Sequence, residues 1–214
     1  MAMTSNAIPQ FNFKGRRSPL TLTITILVVL SGVLLSLSGF YADWLWFKSV
    51  AFTSVWTTVL TTKVFLFVIA GLLTSSIILL NIIIAYKRRP LYVPLSIEAD
   101  NLERYRAQIE PIKRWVVLAL AVGLFYFAGT SGSVLWKSWL LFKNSTSFGV
   151  KDPQFNMDIS FFAFKLPFYQ TMIAWAISTF VLSIIAAAVV HYLYGGIRLQ
   201  VREDRTTVAA RVQL

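Results

Sequence analysis

The chain predicts an all-α polytopic transmembrane protein. Four membrane-spanning helices form two hairpins, with a short amphipathic interfacial helix between them. Three observations predict this. Of 214 residues, 57% are hydrophobic and only 14% charged, against roughly 25% charged in ordinary soluble domains. Four runs, 18–42, 64–86, 115–136 and 166–197, contain no Asp, Glu, Lys or Arg; each exceeds the ~18 apolar residues that mark a membrane span. The basic residues gather at alternate ends of these runs, as Lys- and Arg-rich loops retained on the cytoplasmic side do.

The net charge of +11 is not the footprint of a nucleic-acid-binding face. A basic patch on a soluble surface would mark one, whereas these charges sit at the ends of apolar segments. They face anionic headgroups instead, so the expected partners are the lipid bilayer and other membrane or exported protein segments, with no nucleic acid. The chain has no cysteine, which removes disulfides, thiolate metal sites and thiol nucleophiles.

Residues 1–19 read as a polar cytoplasmic tail carrying Lys14, Arg16 and Arg17. Ser18 and Pro19 suit the cap and first position of a helix. The first span, about 20–41, is too long for a signal-peptide core and reads as a retained anchor. Gly32 and Ser36 within it form a small-xxx-small pair of the kind that admits a neighbouring helix closely.

Residues 42–63 form the first outer loop. Tyr41, Trp44 and Trp46 make an aromatic belt, because an indole or phenol ring satisfies both its apolar face and its polar tip at headgroup level. The Thr-rich stretch 49–62 either lies along the interface or extends the next helix outward. The second span, about 64–86, contains Thr74, Ser75, Ser76 and Asn81. An amide in such a segment is expected to bond a neighbouring helix rather than a ligand.

The loop 87–114 fixes the threading. It holds Lys87, Arg88, Arg89, Arg104, Arg106, Lys113 and Arg114 and is assigned to the cytoplasm. Within it Ser96 is a helix-cap candidate, and Leu102, Tyr105, Ile109 and Ile112 recur at helical spacing. This is the amphipathic segment, lying on the membrane face or on its own protein. Pro111 opens the third span, about 115–134, in which Gly129 and Ser133 form a second small-residue pair.

The second outer loop, 135–167, is rich in aromatics. Phe148, Phe155, Phe161, Phe162 and Phe164 are the partner-docking candidates, since a concentrated apolar surface outside the bilayer usually meets a partner. Asp152, Gln154, Asn156 and Asp158 place oxygen-bearing side chains at alternate positions, a calcium-loop spacing. The pattern departs from that motif at Met157, where the sharp turn needs Gly, and at Ala163, where a bidentate Glu belongs. A proline-containing structural turn is the competing reading. Pro167 starts the fourth span, about 168–194, whose 27 residues would be ~40 Å long against a ~30 Å apolar bilayer core. Gly195 and Gly196 end it, and 198–214 form a second cytoplasmic tail with Arg198, Arg202, Arg205 and Arg211. The membrane domain is thus 20–197. Of 20 basic residues, 14 fall in the segments assigned inside, which places both termini in the cytoplasm of a plasma-membrane protein.

Chemistry is sparse. No acid or base lies mid-span, where ion- and proton-coupled transporters place one. The single histidine, His191, sits at an inner interface, and no nucleophile–base pairing is apparent. No catalytic residue, cofactor or enzymatic activity is expected.

Gly39-Phe40-Tyr41-Ala42-Asp43-Trp44-Leu45-Trp46-Phe47, residues 148–155 and 158–167, and His191-Tyr192-Leu193-Tyr194-Gly195-Gly196-Ile197-Arg198 together resemble the uncharacterised protein family 0182, large multi-pass membrane proteins of actinobacteria. The resemblance runs from about Leu20 to the end. It implies a plasma-membrane location and an N-terminal membrane region followed by further spans and a large exported domain. It implies no activity and therefore no site residues. Proteins of that family continue past the position of Leu214, so the resemblance implies an expectation that this chain is a fragment, a split subunit or a truncated form. The expected role is a membrane-anchoring and assembly module, the alternative a subunit of a transporter or lipid-handling complex.

Overall fold

A computed structural model describes residues 19–90, 97–198 and 205–213. The described residues are helical, with isolated bridges but no strand. Four helices are long and apolar enough to cross a membrane, covering Leu22–Ser49, Thr53–Lys87, Leu102–Ser133 and Phe161–Leu193. The chain divides into two compact units, 1–56 and 57–214.

In the first unit, α1 (Pro19–Ser49) runs past the predicted end of its span. Its first residues are β-branched and aliphatic without a polar face, and its side chains from Leu22 to Asp43 are exposed. Gly32 meets nothing within 4 Å, and Ser36 turns its hydroxyl back onto the Gly32 carbonyl at 2.9 Å. The small-residue pair therefore packs against nothing within this unit. At the far end Tyr41 stacks on Trp44, Lys48 lies over the Trp44 ring, and Phe40 meets Trp56 edge-on. A turn through Ala51, at φ +61°, closes the helix.

α2 (Thr53–Lys87) begins at once. Of the two expectations for 49–62, helical extension is the outcome. The second unit comprises the rest of α2 with α3 (Ile97–Ile109), α4 (Lys113–Ser133), α5 (Trp136–Lys143), α6 (Leu166–Leu193) and α7 (Val208–Gln213). A 3₁₀ turn at Glu110–Ile112 with Pro111 in its first positions joins α3 to α4. A π-helical turn at Phe161–Lys165 leads into α6, whose first turn holds Pro167. Ser18 and Ser96 lie outside the described residues.

α2 and α4 pack through glycine. A Cβ on Gly132 would stand 2.4 Å from the Ala70 Cβ and 2.9 Å from the Leu66 carbonyl; one on Gly71 or Gly129 would meet a Phe125 or Phe67 ring at 2.8 Å. The buried partner of Gly129 is therefore Gly132, whereas Ser133 is half-buried and bonds the Thr130 carbonyl. The spacing argument chose the right helix face and the wrong second residue.

α6 presents Thr179, Ser183, Ala187 and His191 at four-residue intervals, each at most 3% exposed. On α2 the residues Gly71, Thr74, Ser75, Ile78 and Ala85 are buried; Gly71 meets Phe125 of α4, while Thr74 and Asn81 bond Trp175 and Ser183 of α6. Rows of residues four apart form the ridges by which helices interlock. Small side chains let two backbones approach where lipid removes any hydrophobic drive for association.

Candidate functional site

The polar groups of the second unit collect in two places. One is the α2–α6 seam near the end of the bundle that carries Lys87–Arg89. Trp175 Nε1 donates to Thr74 Oγ1 at 3.1 Å. Further along, Asn81 Nδ2 donates to both the Oγ and the carbonyl of Ser183, at 2.8 and 3.2 Å. The remaining Asn81 oxygens are taken by Gln213 of α7, whose Nε2 lies 2.7 Å from Oδ1 and 2.9 Å from the carbonyl. With its amide so oriented, Gln213 turns Oε1 to His191 Nε2 at 3.0 Å. With the amide in that orientation the histidine Nε2 is the donor. Nδ1 is buried without a partner, and Gly196 presses on it so closely that a Cβ there would lie at 2.8 Å.

His191 is 1% exposed. The histidine expected at an inner interface does lie at the end of α6, but the protein itself encloses it, and the reason is the fold of the tail. α6 ends on Tyr194, and Gly195 takes the left-handed conformation at φ +75° that closes a helix. Gly196 and Ile197 then donate to the His191 carbonyl. Bonds from Arg198 to Arg205 and from Thr207 to Gly196, with the Ile197–Thr206 bridge, fold the chain back. α7 thereby lies over the end of α6 and covers the imidazole.

Beside this network Arg106 of α3 bonds the Leu193 carbonyl through Nε at 2.5 Å. Arg106 and Arg89 both lie over the Tyr194 ring, at 5.6 and 5.4 Å from its centroid. Lys113 pairs with Glu110, which also accepts from Tyr86. Of the predicted amphipathic stripe, Leu102 and Ile109 are half-buried, while Tyr105 and Ile112 remain exposed.

The second place is the loop between α5 and α6. The Asp158 carboxylate accepts from the Ser147 hydroxyl and from the amides of Phe148, Gly149 and Ser160. The Ser147 hydroxyl first, then the Ser160 hydroxyl and amide, hold this carboxyl well below the usual carboxylate range. Asp152 Oδ1 accepts from the amides of Gln154 and Phe155 at 2.9 and 2.8 Å, an Asx turn. Asn156 completes the turn at φ +52°, and Lys151 bridges Asp158.

The alternating oxygens thus serve the backbone: Asp152 and Asp158 spend their lone pairs on N–H and O–H donors, while Gln154 and Asn156 are exposed. Among the described residues no three His, Cys, Asp or Glu side chains are grouped to hold a metal ion. The five docking candidates fall into two ring groups. Phe148 meets Phe164, and Phe162 meets both Phe155 and Phe161, with centroids 5.4 to 5.8 Å apart. Phe148 and Phe155 remain 51% and 60% exposed. At the base, Phe142 stacks on Phe168 at 4.5 Å and Lys63 lies over Trp136.

Thr179, Ser183 and Ala187 of α6 are small residues four apart in the sequence, a spacing that His191 continues with a large ring. The role of Gln213 was not readable there, because nothing in a polar tail marks which residue folds back.

The architecture defines a class: an all-helical protein with four helices of membrane-crossing length and apolarity, of which α2, α4 and α6 are packed by glycine and by neutral hydrogen bonds. The chain belongs to the Uncharacterised protein family (UPF0182), whose model matches residues 20–214. It is similar to a UPF0182 protein of Streptomyces coelicolor, 43% identical over 89% of this chain and 19% of that protein. It is also similar to one of Nocardioides sp., 41% identical over 94% and 20%, and to one of Salinispora tropica, 42% identical over 99% and 21%. The chain spans about a fifth of the length of these relatives. No solved structure matches it.

Proposed function

We propose that this chain is a membrane-anchoring and assembly module of the plasma membrane. It inserts as two hairpins, with both ends and the basic loop 87–114 in the cytoplasm and the aromatic loop outside. The α2–α4 and α2–α6 contacts are made by glycine, hydroxyl and amide groups, which suits a fixed scaffold better than ion coupling. In this reading the chain carries no catalysis of its own.

The observation that carries the proposal is the loop 147–164. Its backbone is tied by two carboxylates while Phe148 and Phe155 stand out of it. An apolar surface ordered in advance pays little entropy on docking, and its partner is a protein segment outside this chain. Co-expression with the remaining portion of a full-length relative tests this: Phe155→Ala and Phe161→Ala should reduce co-purification, and unchanged recovery would refute it. Threading is tested in the cysteine-free chain. Thr146→Cys should react with an impermeant thiol reagent in intact cells, and Gln108→Cys only after permeabilisation.

The second reading, a subunit of a transporter or lipid-handling complex, draws on the polar seam of buried Thr74, Ser183 and His191 with half-buried Asn81. Solute movement abolished by Ser183→Ala would favour it.

A further inference from the structure

We infer that the cavity between α3 and the adjoining ends of α2 and α6 binds a phosphate ester. The cavity holds about 430 Å³ and is lined by Arg89, Glu103, Arg106, Glu110 and Tyr194. Two guanidiniums share one ring there, since Arg89 and Arg106 both lie over Tyr194 within 5.6 Å of its centroid. Like charges held this close repel, and Glu110, the carboxylate near Arg89, is already paired with Lys113. Arg106 is fixed by its Nε bond to the Leu193 carbonyl, yet its Nη2 is buried with no acceptor. A buried charged donor left unsatisfied costs more than a neutral one, so in this proposal Arg106 turns Nη2 onto a tetrahedral oxyanion seated in the cavity. Planar guanidiniums match phosphate oxygens in geometry as well as charge.

The two acids on the lining refine the ligand. Glu110 is neutralised by Lys113 and takes a further bond from Tyr86. Glu103 lies one turn from Arg106 on α3 and offers an acceptor to a hydroxyl or ammonium group carried on the phosphate. The ligand class is therefore a phosphate ester bearing a hydrogen-bond donor. A phospholipid headgroup and a soluble phosphate ester share that chemistry. The lipid source rests on the membrane reading above, because basic pockets at the cytoplasmic ends of spans recognise such headgroups; the soluble source does not.

The test uses the full chain in phosphatidylcholine nanodiscs, followed by ³¹P NMR. Dilauroyl phosphatidylglycerol is titrated in one arm and glycerol phosphate in the other. Binding should weaken about tenfold in both Arg106→Gln and Arg89→Gln, the loss expected for one charge-assisted contact. Arg114→Gln, at the same end but off the lining, should stay within about twofold. Saturation by the lipid alone assigns a headgroup, and saturation by glycerol phosphate assigns a soluble ester. Equal weakening by Arg114→Gln would reduce the effect to a general basic rim and overturn the site, as would wild-type binding in the Arg106 and Arg89 variants. Because Arg106→Gln also touches the Leu193 carbonyl bond, Arg89→Gln provides the independent check. Failure of the thiol-labelling pattern with binding intact would sink the membrane reading and leave the site standing.

Discussion

Gln213 Nε2 lies 2.7 Å from Asn81 Oδ1, joining residues 132 positions apart. Through this amide pair α7 is tied to α2, and through Gln213 Oε1 to His191 of α6. A short helix that would be marginal alone is held by three side-chain bonds to two long ones.

Those bonds should be coupled energetically. Asn81→Ala takes Oδ1 from Gln213 Nε2, which keeps only the residue-81 carbonyl, and takes the Nδ2 donor from the Ser183 hydroxyl, while Gln213→Ala leaves Asn81 Oδ1 bare. A double-mutant cycle on the two should give a coupling of about 0.6 kcal/mol and no more than about 1.7, the range found between membrane helices. Equilibrium unfolding in mixed micelles measures it, and strict additivity would show that the pair does not stabilise the fold.

The glycine contact predicts opposite outcomes on one helix. Gly132→Ala forces the new methyl against Ala70 and the Leu66 carbonyl and should destabilise by about 1–3 kcal/mol through overpacking. Gly123→Ala, on the same helix, meets nothing within 4 Å and should be neutral or stabilising by up to about 1 kcal/mol, from helix propensity alone. Thermal unfolding of the two variants provides the comparison.

Asp158 predicts an acid limit for the aromatic loop. Its folded pKa is depressed, so its contribution to loop stability is complete above the ordinary aspartate value of about 3.9. That contribution is lost as pH falls below this value towards the folded one. Amide protection at Phe148 and Gly149, corrected for intrinsic exchange, should therefore hold at neutral pH and fall below pH ~4. Asp158→Asn should show weakened protection at all pH values and no acid transition of its own.

Gly195, at φ +75°, predicts a local effect at the turn that brings α7 back. Gly195→Ala should cost about 1 kcal/mol, the left-handed penalty of a Cβ. Since the turn precedes the Ile197–Thr206 bridge, hydrogen exchange at the Thr207 amide should rise before exchange in α6 does.

The sequence by itself determined the helices. A run without a charge for some 20 residues has one low-energy conformation in lipid, because only a helix satisfies its own backbone bonds. Leu20, Val64, Trp115 and Phe168 accordingly all lie in helices of membrane-crossing length. Composition likewise exposed the aromatic loop and singled out Asn81 as a helix-to-helix bond. Helix ends were less legible: α1 runs on to Ser49 and α2 starts at Thr53, since hydropathy reports burial in lipid and not where hydrogen bonding stops.

Only the tertiary structure decided which polar group meets which. Gln213 is one amide in a charged tail until Gly195 turns the chain, and His191 is one residue at a helix end until α7 covers it. Asp152 and Asp158 are oxygens at metal-like spacing until the loop closes and their own backbone amides claim them. Hydropathy is a property of each side chain and can be summed along the chain, whereas a hydrogen bond needs two partners, and distance along the sequence does not say which two the fold will bring together.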